Sequence, residues 1–239
     1  MVANPSKFQL IFPGTPSANI SIKLGNIVIK SVENVKLLGV KIDSKLSFID
    51  HVKELCNKSN AKIRALRRVR PFLSEDKAKL LVNAYILSPF NYCPLIWMFC
   101  GKEGDRLIRQ CHYRALKSMT KSNKSYCDLL LDCNSMDIHT RNLNLMLLEV
   151  FKSLNGLGPE IMQNMFIRKQ SRYELRSGSV IEVPIYINYN RVFSINTFDF
   201  RATMTWNSLP SEIKSQRSLN LFKLALKGIK LKCCCKICK

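Results

Sequence analysis

Two periodicities divide the chain. Up to residue 43, apolar side chains recur at every second position. Phe8, Leu10 and Phe12 precede Pro13-Gly14; Ile20, Ile22 and Leu24 precede Gly25-Asn26; Ile27 and Ile29 follow. Alternation with period two places these side chains on one face of an extended chain. Two such runs separated by two turn-forming residues predict a β-hairpin. A further strand is predicted over 35–42, stopped by Asp43-Ser44.

From residue 48 the period becomes helical. Val52, Leu55, Cys56, Ser59, Ile63 and Leu66 fall on one face of a helix that ends before Pro71. Ser74 followed by Glu75 and Asp76 predicts the capped start of a second helix, which carries Leu80, Leu81, Ala84, Tyr85 and Leu87 and stops before Pro89. Two more helices are predicted over 105–119 and 138–154, the latter with Leu143, Leu147, Val150, Phe151 and Leu154 at helical spacing. The run Asn155-Gly156-Leu157-Gly158-Pro159 then breaks the pattern. Residues 168–200 read as strands or extended loops, with Val180, Ile181, Val183, Ile185, Tyr186 and Ile187 among Arg168, Lys169, Arg172, Arg176 and Arg191. A last helix over 218–230 places Leu219, Phe222, Leu226 and Ile229 on one face. The expected fold class is α+β, mainly α-helical, in three segments: a β-rich 1–46, a helical 47–165 and a mixed 166–239.

Charge changes this picture most. Across 239 residues, 38 Lys and Arg face 17 Asp and Glu, a net charge of +21, while the apolar share of 46% is that of a folded protein. So large an excess repels itself in a compact state unless a polyanion or counterions offset it. Nucleic acid is the first candidate partner, because neutralised phosphates release counterions. The most apolar stretch, 84–100, is interrupted by Pro89, Asn91 and Pro94, so no membrane partner is expected. Without a recognisable signal peptide the chain reads as intracellular, in the nucleus or the cytoplasm. Six of the ten cysteines, Cys56, Cys93, Cys100, Cys111, Cys127 and Cys133, read as reduced thiols acting as small hydrophobes.

Three ordered stretches resemble one family. Val35-Lys36-Leu37-Leu38-Gly39-Val40-Lys41-Ile42-Asp43, with Leu46, Phe48, His51 and Val52, is similar to an element of LINE-type (non-LTR) retrotransposon reverse transcriptases. Pro89-Phe90-Asn91-Tyr92-Cys93, with Trp97, resembles a segment of their helical thumb. Trp206-Asn207-Ser208-Leu209-Pro210, with Ile213, Ser218, Leu219, Phe222 and Lys223, resembles their closing signature. The resemblance implies a palm-edge hairpin, a thumb-like helical region and a C-terminal region. In that family Leu38, Gly39 and Val40 would lie where a hairpin grips the primer strand. The implied partners are RNA and DNA, as template–primer or RNA–DNA hybrid. The catalytic palm would lie upstream, so Met1 would be an internal methionine of a longer frame. Mg²⁺ would belong to that palm, and no cofactor is expected in this part. The sequence holds no adjacent Asp-Asp pair, so two-metal phosphoryl transfer is not expected of the chain alone.

The candidate binding residues are Lys53, Lys58, Lys62, Arg64, Arg67 and Arg68 on the helix over 48–70, which also carries Arg70, and Arg106 and Arg109 on the next basic helix, which also carries Arg114 and Lys117. Long cations flanking a buried stripe can reach phosphates without reading bases; the alternative is a solvated charged face. His112 and His139 read as structural rather than ligating, and Trp97, Trp206 and Phe222 as core. Cys233, Cys235 and Cys238 offer three thiolates in a spacing that zinc could use, against the alternative of a basic, oxidation-prone tail.

Overall fold

A computed structural model of the chain describes residues 4, 7–14, 20–168, 180–184, 197–229 and 231. These residues are mainly α-helical, with two small antiparallel strand pairs. Their packing falls into two units: residues 1–93 with 100–133, and residues 94–99 with 134–239. Of the three segments read from the sequence, 1–46 falls in the first unit, 166–239 falls in the second, and 47–165 is divided between them.

In the first unit, β1 (Ser21–Leu24) pairs with β2 (Ile27–Lys30) as expected, with Leu24 opposite Ile27. Gly25 opens the two-residue turn at φ 60°, a conformation glycine adopts without strain. The strand expected over 35–42 is instead a second hairpin, β3 (Asn34–Leu37) and β4 (Val40–Asp43). Leu38 and Gly39 both take positive φ, 46° and 88°, the requirement of a I′ turn. Val35 then faces Ile42 and Leu37 faces Val40, so the alternation survives the turn and reads as one strand. The run around Leu10 forms no strand either. It makes a single bridge to Ser31, with Val32 N–H donating to Leu10 O at 2.8 Å.

Helix α1 (Ile49–Val69) buries Val52, Cys56, Ser59, Ile63 and Leu66, the expected stripe, with Leu55 half-buried. It packs along α4 (Gly101–Thr120), whose buried residues include Ile108, Cys111, Ala115 and Leu116. Between them in sequence, α2 (Glu75–Leu81) runs into a π-helical stretch, Val82–Ile86. Of the apolar positions named from the sequence, Leu87 is buried and the others are not. Ala78, Val82 and Ile86 turn inward at a four-residue spacing, and Leu80, Leu81 and Tyr85 face out. Ser74 occupies the cap position of α2, but its hydroxyl makes no capping hydrogen bond. A short α5 (Tyr126–Asp132), capped by the Ser125 hydroxyl, closes this unit.

The second unit gathers α3 (Pro94–Trp97), α6 (Ile138–Leu154), α7 (Glu160–Met165), α8 (Phe198–Asn207), α9 (Ser211–Lys214) and α10 (Leu219–Lys227). Helix α6 has the bounds its apolar spacing predicts, and Asp137 caps it by accepting from Thr140 N–H at 3.1 Å. Helix α8 begins inside the stretch that reads as non-helical. Trp206, Phe222 and Phe151 form the centre of the core. Phe151 stacks on Phe222 at 4.5 Å between ring centroids, and Trp206 lies 5.7 Å from Phe222. Trp97 is also fully buried. Among the described residues no helix is long and apolar enough to cross a membrane.

Leu66 is 4% exposed, so Leu66→Ala should cost about 2–5 kcal/mol through the cavity it leaves. Arg68→Ala, on the exposed side of the same helix, should stay within about 0.5 kcal/mol. Equilibrium urea unfolding followed by circular dichroism checks both; equal costs would contradict the phase assigned to α1.

Candidate nucleic-acid interface

The approach to α1 is set by one carboxylate. Asp43, at the end of β4, accepts from Lys45 N–H (3.1 Å), Ser47 N–H (3.0 Å) and Phe48 N–H (2.7 Å), and from the Ser47 hydroxyl (3.2 Å). Those bonds hold a loop in which Leu46 and Phe48 sit at φ 51° and 55°, a conformation unfavourable for branched or bulky side chains. On the first turn of α1, buried His51 accepts at Nδ1 from Lys41 N–H at 3.3 Å, tying helix to hairpin. This bond needs Nδ1 unprotonated. Burial pulls the His51 pKa below its ordinary value.

The structure sorts the candidate cations. Lys58 pairs with Glu54, Lys53 lies 3.9 Å from Glu103, and Arg109 lies 3.4 Å from Asp105. The first two pairs are exposed and add little stability, and all three divert charge from an external anion. Lys62 is turned onto Tyr85, with its Nζ 4.2 Å from the ring centre and donating to Tyr85 O at 2.8 Å. Arg70 is buried and structural: its Nε donates to Met119 O at 2.6 Å and its Nη1 to Leu73 O at 2.9 Å. Arg68 and Arg106 are exposed.

Arg64 and Arg67 are brought together with cations of α4. Two adjoining clefts share Arg67: one of about 360 Å³, lined by Asn57, Asn60, Arg64 and Arg114, and one of about 420 Å³, lined by Arg70, Lys117, Ser118 and Lys121. Neither lining contains an Asp or a Glu. The guanidinium groups are propped by neutral partners. Arg67 Nε donates to Ser118 Oγ at 2.9 Å, Ser118 Oγ donates to Arg114 O at 2.7 Å, and Arg114 Nη1 donates to Asn60 Oδ1 at 3.4 Å. Neutral acceptors fix side-chain geometry while leaving the charge unneutralised, which suits a phosphate. Lys121 was not among the sequence candidates. It follows the last turn of α4 at φ 55°, a position that periodicity does not reveal.

Leu38 and Gly39 form the tip of the second hairpin, and Val40 opens β4. Leu38 is 82% exposed, and the Tyr92 hydroxyl donates to its carbonyl. His112 is buried with Nδ1 2.9 Å from the Tyr126 hydroxyl, and His139 is buried on α6. Cys56 and Cys111 lie side by side. The Cys56 thiol is pushed up by its hydrogen bond with Cys111 and by burial, so it stays protonated. Among the described residues no three His, Cys, Asp or Glu side chains converge to hold a metal. Cys233, Cys235 and Cys238, with Lys169, Arg172, Arg176 and Arg191, lie outside the described residues.

No family model, curated protein or solved structure matches the chain.

The depressed pKa of His51 fixes the sign of a pH effect. Below about pH 6.5 the unfolded chain takes up the proton before the folded one, so stability falls as pH drops from there toward the lowered folded value. Unfolding free energies at pH 7.5 and about 5.5 should differ less for His51→Gln than for the parent chain. An unchanged pH difference in the variant would remove His51 as its source.

Proposed function

We propose that this chain binds nucleic acid through phosphates in the groove between α1 and α4, as a non-catalytic part of a LINE-type reverse transcriptase that supports template–primer. The observation that carries the reading is the carboxylate-free lining of that groove, where Arg64, Arg67, Arg114, Lys117 and Lys121 gather from both helices. In a chain of net charge +21, cations displayed without acids attract a polyanion, and counterion release drives its binding. The contacts are to the backbone of the duplex, so they position it without reading its sequence. The ordered motif resemblance supports the retroelement part of the proposal, and the exposed tip at Leu38-Gly39 suits a hairpin offered to a primer strand.

Fluorescence anisotropy with an RNA–DNA hybrid tests the binding. Affinity should fall by roughly 10²–10⁴ between 50 and 200 mM salt if five or more phosphates are contacted. The Arg64→Ala, Arg67→Ala, Arg114→Ala triple variant should weaken binding to all sequences alike and reduce the salt slope by roughly three. A flat salt titration, or a triple variant with the parent's slope, overturns the assignment of the groove. The purified chain should extend no primer in the presence of Mg²⁺, because it lacks the paired carboxylates that would hold two ions in line. Template-dependent incorporation above a mock preparation contradicts this.

A further inference from the structure

The second unit holds a separate cleft of about 530 Å³, within the range of small-ligand sites. Its lining includes three cations, Arg168, Lys214 and Arg217, and one carboxylate, Glu212. Lys214 is the unusual member. It projects from α9, is only 7% exposed, and its Nζ donates to Asn207 O at 3.0 Å. Asn207 is itself fixed, accepting from Ile181 N–H at 3.0 Å and donating to Ile181 O at 2.9 Å. Arg168 is anchored by a bond from Nη2 to Leu154 O at 2.9 Å. The fully buried Trp206 supplies an apolar part of the wall.

A surface lysine ordinarily extends its ammonium into water, with its stem along the protein. Here the ammonium is held inside the cleft wall, and burial lowers the Lys214 pKa. Neither Arg168 nor Arg217 makes an ion pair with a carboxylate among the described residues. Among the described lining residues, three cations face one carboxylate, Glu212.

We infer that this cleft binds a phosphate monoester, with Arg168, Lys214 and Arg217 around the dianion and the Ser211 hydroxyl as a neutral donor. The charge selects the class. A monoester carries close to two negative charges near neutral pH, whereas a phosphodiester or a carboxylate carries one. The volume leaves room beside the phosphate for the group that it esterifies. A small phosphorylated molecule and the 5′-phosphate at the end of a nucleic acid share this chemistry. The site stands independently of the groove in the first unit.

Isothermal titration calorimetry on the full chain tests the site with methyl phosphate, dimethyl phosphate, and a trinucleotide in its 5′-phosphorylated and 5′-hydroxyl forms. Methyl phosphate should bind more tightly than dimethyl phosphate. The Arg168→Gln, Arg217→Gln variant, changed at two exposed positions, should lose about tenfold or more of that affinity. Arg64→Ala, Arg67→Ala should leave it unchanged, which separates this site from the groove. Tighter binding of the 5′-phosphorylated trinucleotide than of methyl phosphate, not matched by the 5′-hydroxyl form, assigns the cleft to nucleic-acid ends. Equal binding of the phosphorylated trinucleotide and methyl phosphate assigns it to small phosphate esters, and both results support the inference. Equal affinity for methyl and dimethyl phosphate, or an Arg168→Gln, Arg217→Gln variant that binds like the parent, overturns it.

Discussion

The phase at which α1 packs on α4 decides where the charge of the first unit goes. Burying Val52, Cys56, Ile63 and Leu66 leaves Arg64 and Arg67 one position beyond buried neighbours, at the margin of the interface. Small side chains line that seam: Cys56 and Ser59 on α1, Cys111 and Ala115 on α4, all buried. They let the helices approach closely enough for Arg67 to reach Ser118 and Arg114 to reach Asn60. A bulkier seam would separate the arginines and dissolve the groove. Ser59 has a second function, since its hydroxyl donates to Ile86 O at 3.2 Å, a carbonyl in the π-helical stretch. The same stripe therefore supplies hydrophobic stability, the spacing of the cations and a partner for irregular backbone.

The motif around Trp206 is built by similar economy. Trp206, Leu209 and Ile213 are buried in the core, and Pro210 takes the position before α9, where its missing N–H costs nothing. Asn207 mimics a strand edge, exchanging two hydrogen bonds with Ile181. Ser218 caps α10 by accepting from Leu221 N–H at 3.3 Å, and Phe222 follows on the buried face. Residues that read as a signature are thus accounted for by folding. Lys214, beside Ile213, is buried as well, and its Nζ donates to Asn207 O.

Legibility in the sequence followed the range of the forces. Helix α6 was readable to its ends, since five apolar residues at helical spacing and a capping Asp137 are all local. The turn at Leu38-Gly39 was not, because a I′ turn preserves period-two alternation and leucine is a poor residue at positive φ. The buried face of α2 was missed because small Ala78 turns inward while the larger Leu80 and Leu81 face out. Among the cations, the exposure of Arg64, Arg67 and Arg68 followed from the stripe. The pairing of Lys53 with Glu103 depends on a residue 50 positions away, and the joining of Arg67 with Arg114 on one 47 positions away. The cleft in the second unit draws on Asn155, Arg168 and residues 206–217, and no local pattern unites them.

In a chain so rich in lysine and arginine, the informative variable is the placement of its few acids. With 17 carboxylates for 38 cations, most basic side chains cannot have a partner, and their mere exposure says nothing about binding. What separates a site from a solvated face is cations held by neutral groups where an acid could have stood. On α1, Glu54 takes Lys58 and Glu103 takes Lys53, while on α4 Asp105 takes Arg109, and these stretches are electrostatically spent. Along the groove the same kinds of side chain are held by Ser118 and Asn60, which give direction without cancelling charge. Around the second cleft, Lys214 donates to a backbone carbonyl, and the described lining holds Glu212 beside three cations. Uncompensated charge in a partly desolvated cleft is unfavourable to the folded chain by itself. Each such cleft is therefore stabilised by whatever anion fills it, and folding and binding are coupled there through one electrostatic deficit.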